Sequence, residues 1–168
     1  MLRRESGGND VIYGLRPGAM GTRRFAHPTD FVKAPYGPYA ENLRHVLRDI
    51  EGHLISGYAD GGDAPDKQLA LVPGAVDDAV AFLESHAATH ERFDRVVRLV
   101  EGFETPFGLE LLATVHWVAT QEQAISKADV ERATYAWAPR KRQFSPAQIS
   151  LAAERMRAEG WFLAPIGT

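Results

Sequence analysis

Residues 109–118 read Leu-Glu-Leu-Leu-Ala-Thr-Val-His-Trp-Val, a string that is apolar on nearly every side when wound as a helix. A helix without a polar face has to be surrounded, so this stretch calls for a bundle with itself at the centre. Thr105-Pro106 marks its start, with threonine as the cap and proline at the first helical position. Ser145-Pro146 repeats the signal ahead of Ile149, Ala152, Ala153 and Met156, and Gly160 closes that segment. Ser126 with Asp129 has the spacing of a capping box, opening a helix that carries Val130, Ala133 and Trp137.

Upstream, the periodicity of Leu43, Val46, Leu47, Ile50 and Leu54 predicts a helix over residues 38–51, led in by a Tyr36-Gly37-Pro38-Tyr39 turn and stopped by Gly52. A second helix is predicted over residues 75–87, with Val76, Val80 and Leu83 inward. A third covers residues 90–101, capped by Thr89, with Phe93, Val96, Val97 and Val100 inward. Leu69-Ala70-Leu71-Val72 reads as a short strand before the Pro73-Gly74 turn. The expectation is a mainly α, single-domain bundle of about six helices over residues 35–168, with little or no sheet. Residues 1–34 differ: Gly7, Gly8, Gly14, Gly18, Gly21, Pro17 and Pro28 make an irregular arm, with Val11-Ile12-Tyr13 as a short extended piece. The 168 residues, 45% of them hydrophobic, suffice for one core.

The chain has no cysteine, which excludes disulfide scaffolds, thiolate metal sites and cysteine nucleophiles, and favours a reducing compartment. No run approaches the roughly 18 apolar residues of a membrane span. The polar string after Met1-Leu2-Arg3-Arg4 is not that of a secretory signal, and a cytoplasmic protein is expected.

The net charge of −3 is an average over three unlike blocks. Residues 1–34 carry six basic against three acidic residues, residues 35–110 carry fourteen acidic against six basic, and residues 111–168 seven basic against five acidic. A middle block at −8 repels nucleic acid and suits a partner with a basic surface.

Catalytic constellations are few. His86, His90 and Asp94 have helical four-residue spacing, but Thr89 read as a cap places the two histidines on different helices, an ordinary helix junction rather than a metal site. His116, inside the most apolar segment, reads as a hydrogen-bonded core residue. No nucleophile elbow, phosphate loop or His-Glu-x-x-His motif is present, and no cofactor is expected. A DNA-binding reading is open through the Arg140-Lys141-Arg142 connector and the last helix, where Arg155 and Arg157 supply charge and Gln148 an amide for base contact. Tyr36 and Tyr39, rigid and amphipathic around a Gly-Pro turn, suit an interface or stack on the first helix.

Several strings occur together: Phe31-Val-Lys-Ala-Pro-Tyr-Gly-Pro-Tyr-Ala-Glu-Asn-Leu-Arg-His-Val-Leu47, Glu51-Gly-His53, Leu71-Val-Pro-Gly-Ala75, Val100-Glu-Gly-Phe-Glu-Thr-Pro-Phe-Gly-Leu-Glu-Leu-Leu-Ala-Thr-Val-His-Trp117 and Gly160-Trp161. Over residues 31–164 this resembles the C-terminal domain of DarG-like antitoxins of the DarT–DarG toxin–antitoxin system. The resemblance implies a module that binds a DarT-like toxin, an enzyme that ADP-ribosylates thymidine in single-stranded DNA, and occupies its DNA-binding surface as a nucleic-acid mimic. The acidic middle block is what such mimicry requires: carboxylates where phosphates would stand. The family's N-terminal macrodomain has no counterpart in these residues, so no glycohydrolase residue carries over and the chain is expected not to be an enzyme. Residues 14–28 replace the apolar helix that the family usually carries ahead of Tyr-Gly-Pro-Tyr, which would leave part of a core open and favour either homodimerisation or marginal stability. The expected partner contacts are Asp60, Asp63, Asp66, Glu84, Glu101 and Glu104, with Tyr36 and Tyr39 as aromatic anchors.

Overall fold

In the computed structural model, residues 31–58, 68–124 and 126–162 are described. The elements run β1 (Val32–Ala34), β2 (Gly37–Tyr39), α1 (Leu43–Ile50), β3 (Ile55–Ser56), β4 (Ala70–Leu71), α2 (Ala75–Glu84), α3 (Ala87–Val100), α4 (Pro106–Thr120), α5 (Lys127–Trp137), a 3-10 turn (Pro139–Gln143) and α6 (Pro146–Ala158). Among the described residues the protein is thus mainly α, with six helices and two small two-stranded antiparallel sheets.

α4 is the central helix that its sequence requires, with Leu111, Leu112, Val115 and Val118 buried in one cluster. α5 and α6 pack on it and on each other, adding Val130, Trp137, Ile149, Ala152, Ala153 and Met156. Each start signal works as read. The Gly108 N–H donates to Thr105 Oγ1 at 3.0 Å. Ser126 Oγ accepts from the Asp129 N–H at 3.1 Å while Asp129 Oδ2 accepts from the Ser126 N–H at 3.3 Å. Ser145 and Gln148 form a second reciprocal pair at 3.3 and 2.8 Å. α6 ends in a Schellman motif: Gly160 turns left-handed at φ +70°, and the Trp161 N–H returns to the Met156 carbonyl at 2.8 Å. That return folds Trp161 onto the core.

Four expectations are corrected. α1 begins at Leu43 rather than residue 38, because Gly37–Tyr39 pairs with Val32–Ala34 in the register Val32↔Tyr39, Lys33↔Pro38, Ala34↔Gly37. Pro38 has no N–H to give a helix and is tolerated in an edge strand, so Tyr36-Gly37-Pro38-Tyr39 is hairpin, not helix lead-in. Second, α2 stops at Glu84 and α3 starts at Ala87: the Thr89 N–H already bonds the His86 carbonyl, so Thr89 lies in the first turn and is not the cap. Third, Val76, Val80, Phe93 and Val97 are exposed instead of inward. α2 leans chiefly on α3, and α3 reaches the core only through its C-terminal half, where Leu99 is buried and Val96 and Val100 pack against the cluster. Fourth, Lys141 of the basic connector is fully buried. β4 lies within the expected strand and pairs Leu71 with Ile55. Val11-Ile12-Tyr13 lies outside the described residues.

Candidate partner-binding site

The hairpin β1–β2 is bolted to the bundle by a polar cluster. Lys141 Nζ donates to Glu110 Oε1 at 2.8 Å, to Thr114 Oγ1 at 2.8 Å and to the Tyr36 carbonyl at 3.0 Å. Burial lowers the Lys141 pKa, and Glu110 opposes that shift. Arg140 Nη1 donates to the same Glu110 oxygen at 2.7 Å, and its guanidinium lies 4.2 Å over the Tyr36 ring. Trp137 Nε1 donates to the Ala34 carbonyl at 2.7 Å, with Lys33 over its ring at 4.6 Å. Tyr36 therefore sits at a fixed turn and is 70% exposed. Tyr39 is half-buried and engaged within the fold: its hydroxyl donates to Glu41 Oε2 and accepts from Arg44 Nε, both at 2.8 Å. The Glu41 hydrogen bond raises its pKa.

Three of the acidic candidates are described, one at the end of α2 and two in the connection between α3 and α4. Glu84 is exposed at the end of α2, and Glu101 caps the end of α3 with Arg155 at 3.7 Å. Glu104, in the α3–α4 turn, accepts from the Gly102 N–H at 2.9 Å, which lowers its pKa. Asp60, Asp63 and Asp66 lie outside the described residues. Asp77 and Asp78, exposed in the first turn of α2, were not singled out from the sequence. Counting charge helix by helix would have found them, because α2 carries Asp77, Asp78 and Glu84 and no base.

His90 Nε2 is 3.6 Å from Asp94 Oδ1, whereas His86 turns its Nδ1 to the Phe82 carbonyl at 2.8 Å and stacks on that ring at 3.9 Å. Among the described residues no group of three or more His, Asp or Glu is placed to hold a metal ion. His116 is buried edge-on to Trp161, and burial pushes its pKa down to about 4. Of the basic set, Lys141 is buried and Arg155 donates to the Arg98 carbonyl at 3.1 Å. Gln148 Oε1 is occupied in its capping box, while Arg142 and Arg157 are exposed. No described helix is long and apolar enough to cross a membrane.

No family model matches the chain. It is 42% identical over 131 residues, 78% of its length, to a Thermus aquaticus protein named DNA ADP-ribosyl glycohydrolase, of which the match covers 36%. Proteins of the same name from Mycobacterium bovis and Mycobacterium tuberculosis are 38% identical over 133 residues, 76% of this chain and 38% of each. The chain is related to part of these proteins and spans little more than a third of their length.

Proposed function

We propose that the chain is an antitoxin-type binding module that neutralises a DarT-like DNA ADP-ribosyltransferase by covering its DNA-binding surface with an acidic, nucleic-acid-mimicking face. The observation that carries this reading is the partial match. About a third of each DNA ADP-ribosyl glycohydrolase corresponds to a helical bundle whose middle block is strongly acidic. On this reading the shared stretch is the binding portion, and the module works by occupancy and not by catalysis. His116, the most apolar candidate for proton transfer, is sealed in the core against Trp161, where substrate does not reach. A negative face opposite a basic groove speeds encounter and rejects acidic competitors, which is what competition with DNA demands.

The test mixes the full chain with a DarT-like transferase and follows thymidine modification of a single-stranded oligonucleotide. Stoichiometric inhibition relieved by excess oligonucleotide is expected, with no release of ADP-ribose from modified DNA by the chain alone. Undiminished transfer, or hydrolysis by the chain, overturns the reading. Joint charge reversal at Asp60, Asp63, Asp66, Glu101 and Glu104 is expected to weaken inhibition. The other reading, a DNA-binding autoregulator, keeps Arg142, Arg157 and Gln148 on the surface, with Gln148 Oε1 capping its own helix, but loses Lys141 to the core and turns Arg155 to the Arg98 carbonyl. A gel shift on the chain's own upstream DNA with no salt-sensitive retention removes it.

A further inference from the structure

The outer edge of β4 is open. Its register with β3 pairs Ile55 with Leu71 and Ser56 with Ala70, and the Val72 N–H reaches the Leu54 carbonyl at 3.1 Å. Hydrogen-bonded and non-hydrogen-bonded pairs alternate along an antiparallel ladder. Ala70 therefore bonds inward to β3, while Leu71 turns its own N–H and C=O outward. By the same alternation Leu69, just ahead of β4, faces its backbone outward too. These outward groups have no partner among the described residues. The side chains are bare as well: Leu69 is 48% and Leu71 66% exposed, and at this spacing in extended chain they share a face. Soluble proteins usually blunt such an edge with a charge or a bulge. This one carries leucine.

We infer that this edge is the interface of a homodimer, in which β4 pairs antiparallel with β4 of a second copy about a two-fold axis at Ala70. The edge is complementary to itself, which is why a second copy fits it. With Ala70 opposite the partner's Ala70, Leu69 exchanges both backbone hydrogen bonds with the partner's Leu71, and Leu71 with the partner's Leu69. No outward group is left over. The leucines of both copies cover one another on one face of the joined sheet. Ala70 falls at the narrow, non-hydrogen-bonded position on the axis, where a small side chain fits. Pro73 has no N–H and keeps the ladder from lengthening, so the contact is small and the dimer reversible. Two-residue strands make a marginal sheet alone, and pairing across the axis extends it. None of these groups belongs to the acidic face proposed for the toxin, so the two readings stand or fall separately.

The chain contains no cysteine, so one introduced thiol reports the contact. Cα atoms of a non-hydrogen-bonded pair stand about 4.5 Å apart, within reach of a disulfide. In air, Ala70→Cys is expected to form disulfide-linked dimers at least about tenfold faster than Ala147→Cys, exposed at the start of α6. Sedimentation of the unaltered chain should shift from one copy towards two as concentration rises. Leu69→Lys/Leu71→Lys, with circular dichroism to check its fold, should weaken that association at least about tenfold. In wild type the amides of Leu69 and Leu71 should gain hydrogen-exchange protection with concentration, and that of Ala70, bonded to β3, should not. Crosslinking at position 70 no faster than at 147, or mass and exchange independent of concentration, overturns the inference. If both amides are protected at every concentration and lose that protection on deletion of residues 1–30, the chain's own arm fills the edge, which overturns it too. So does protection that appears only when the toxin is added.

Discussion

Glu110 Oε1 accepts from Arg140, Lys141 and Gln143 at 2.7, 2.8 and 3.3 Å, so one carboxylate oxygen joins α4 to the connector that holds the hairpin. Its two cations are not equivalent, because Lys141 has no exposure and Arg140 remains partly in solvent. Glu110→Gln leaves a buried ammonium with only neutral acceptors and is expected to cost about 3–5 kcal/mol. Lys141→Met leaves Glu110 neutralised by Arg140 and fills the space, so about 1–3 kcal/mol is expected. Urea titrations of the two variants rank them, and the reverse order would make the ammonium the keystone. His116 gives a pH signature. Its pKa is about 4 in the fold against 6.5 for an ordinary histidine, so the unfolded chain takes up the proton first as pH falls. The contribution of neutral His116 is complete above pH 6.5 and drains between there and about 4, where close to 3 kcal/mol is lost on the scale of about 1.4 per pK unit. His116→Asn should flatten the stability difference across that window in denaturant melts at stepped pH.

At the scale of elements, what could be read in the sequence was what is decided locally. Thr105-Pro106, Ser126 with Asp129 and Ser145-Pro146 each place a hydrogen-bond acceptor and the groups it caps within four residues, and all three helices start where those strings say. The start of α1 was missed because Gly37–Tyr39 finds its partners in Val32–Ala34, a strand too short to announce itself. Val76, Val80, Phe93 and Val97 have helical spacing, but periodicity names a face and not what covers it. Lys141 was hidden for the same reason, since Arg-Lys-Arg reads as solvated until Glu110 and Thr114 of another helix are placed beside it. Of the candidate site, Tyr36 was legible as an exposed aromatic, whereas Asp77 and Asp78 were masked by averaging charge over a long block. One local requirement also went unread. A Cβ on Gly108 would stand 2.6 Å from the Phe103 carbonyl oxygen and 2.8 Å from its Cα, so the first turn of α4 closes over the α3–α4 turn only without a side chain. Gly108→Ala should cost about 1–3 kcal/mol despite the better helix propensity of alanine, and a melt showing stabilisation would refute the close approach.

Across the whole molecule, burial is polarised. α4, α5 and α6 enclose the core cluster, while α1 buries only Ile50 and α2 only Ala75. A helix with one buried residue gains little from packing and opens locally, without the rest unfolding. α3 spans the divide, with Leu99 in the core at one end and exposed Phe93 nearer the other, and the contact of Arg155 with the Arg98 carbonyl holds its C-terminal end to α6. Native-state hydrogen exchange should therefore resolve two tiers. Amides of α4, α5 and α6 should exchange slowest, near the global limit, and those of α2 through openings costing at least about 2 kcal/mol less. The gradient should lie along α3 itself, with residues 96–100 slow and residues 87–92 fast. Uniform protection through α2 and α3 would mean that the free chain already covers this hairpin, contrary to its exposure. Ala79→Gly, at an exposed position of α2, should loosen that helix by about 1 kcal/mol and speed the exchange of its amides, while leaving the melting of the α4–α6 core unmoved.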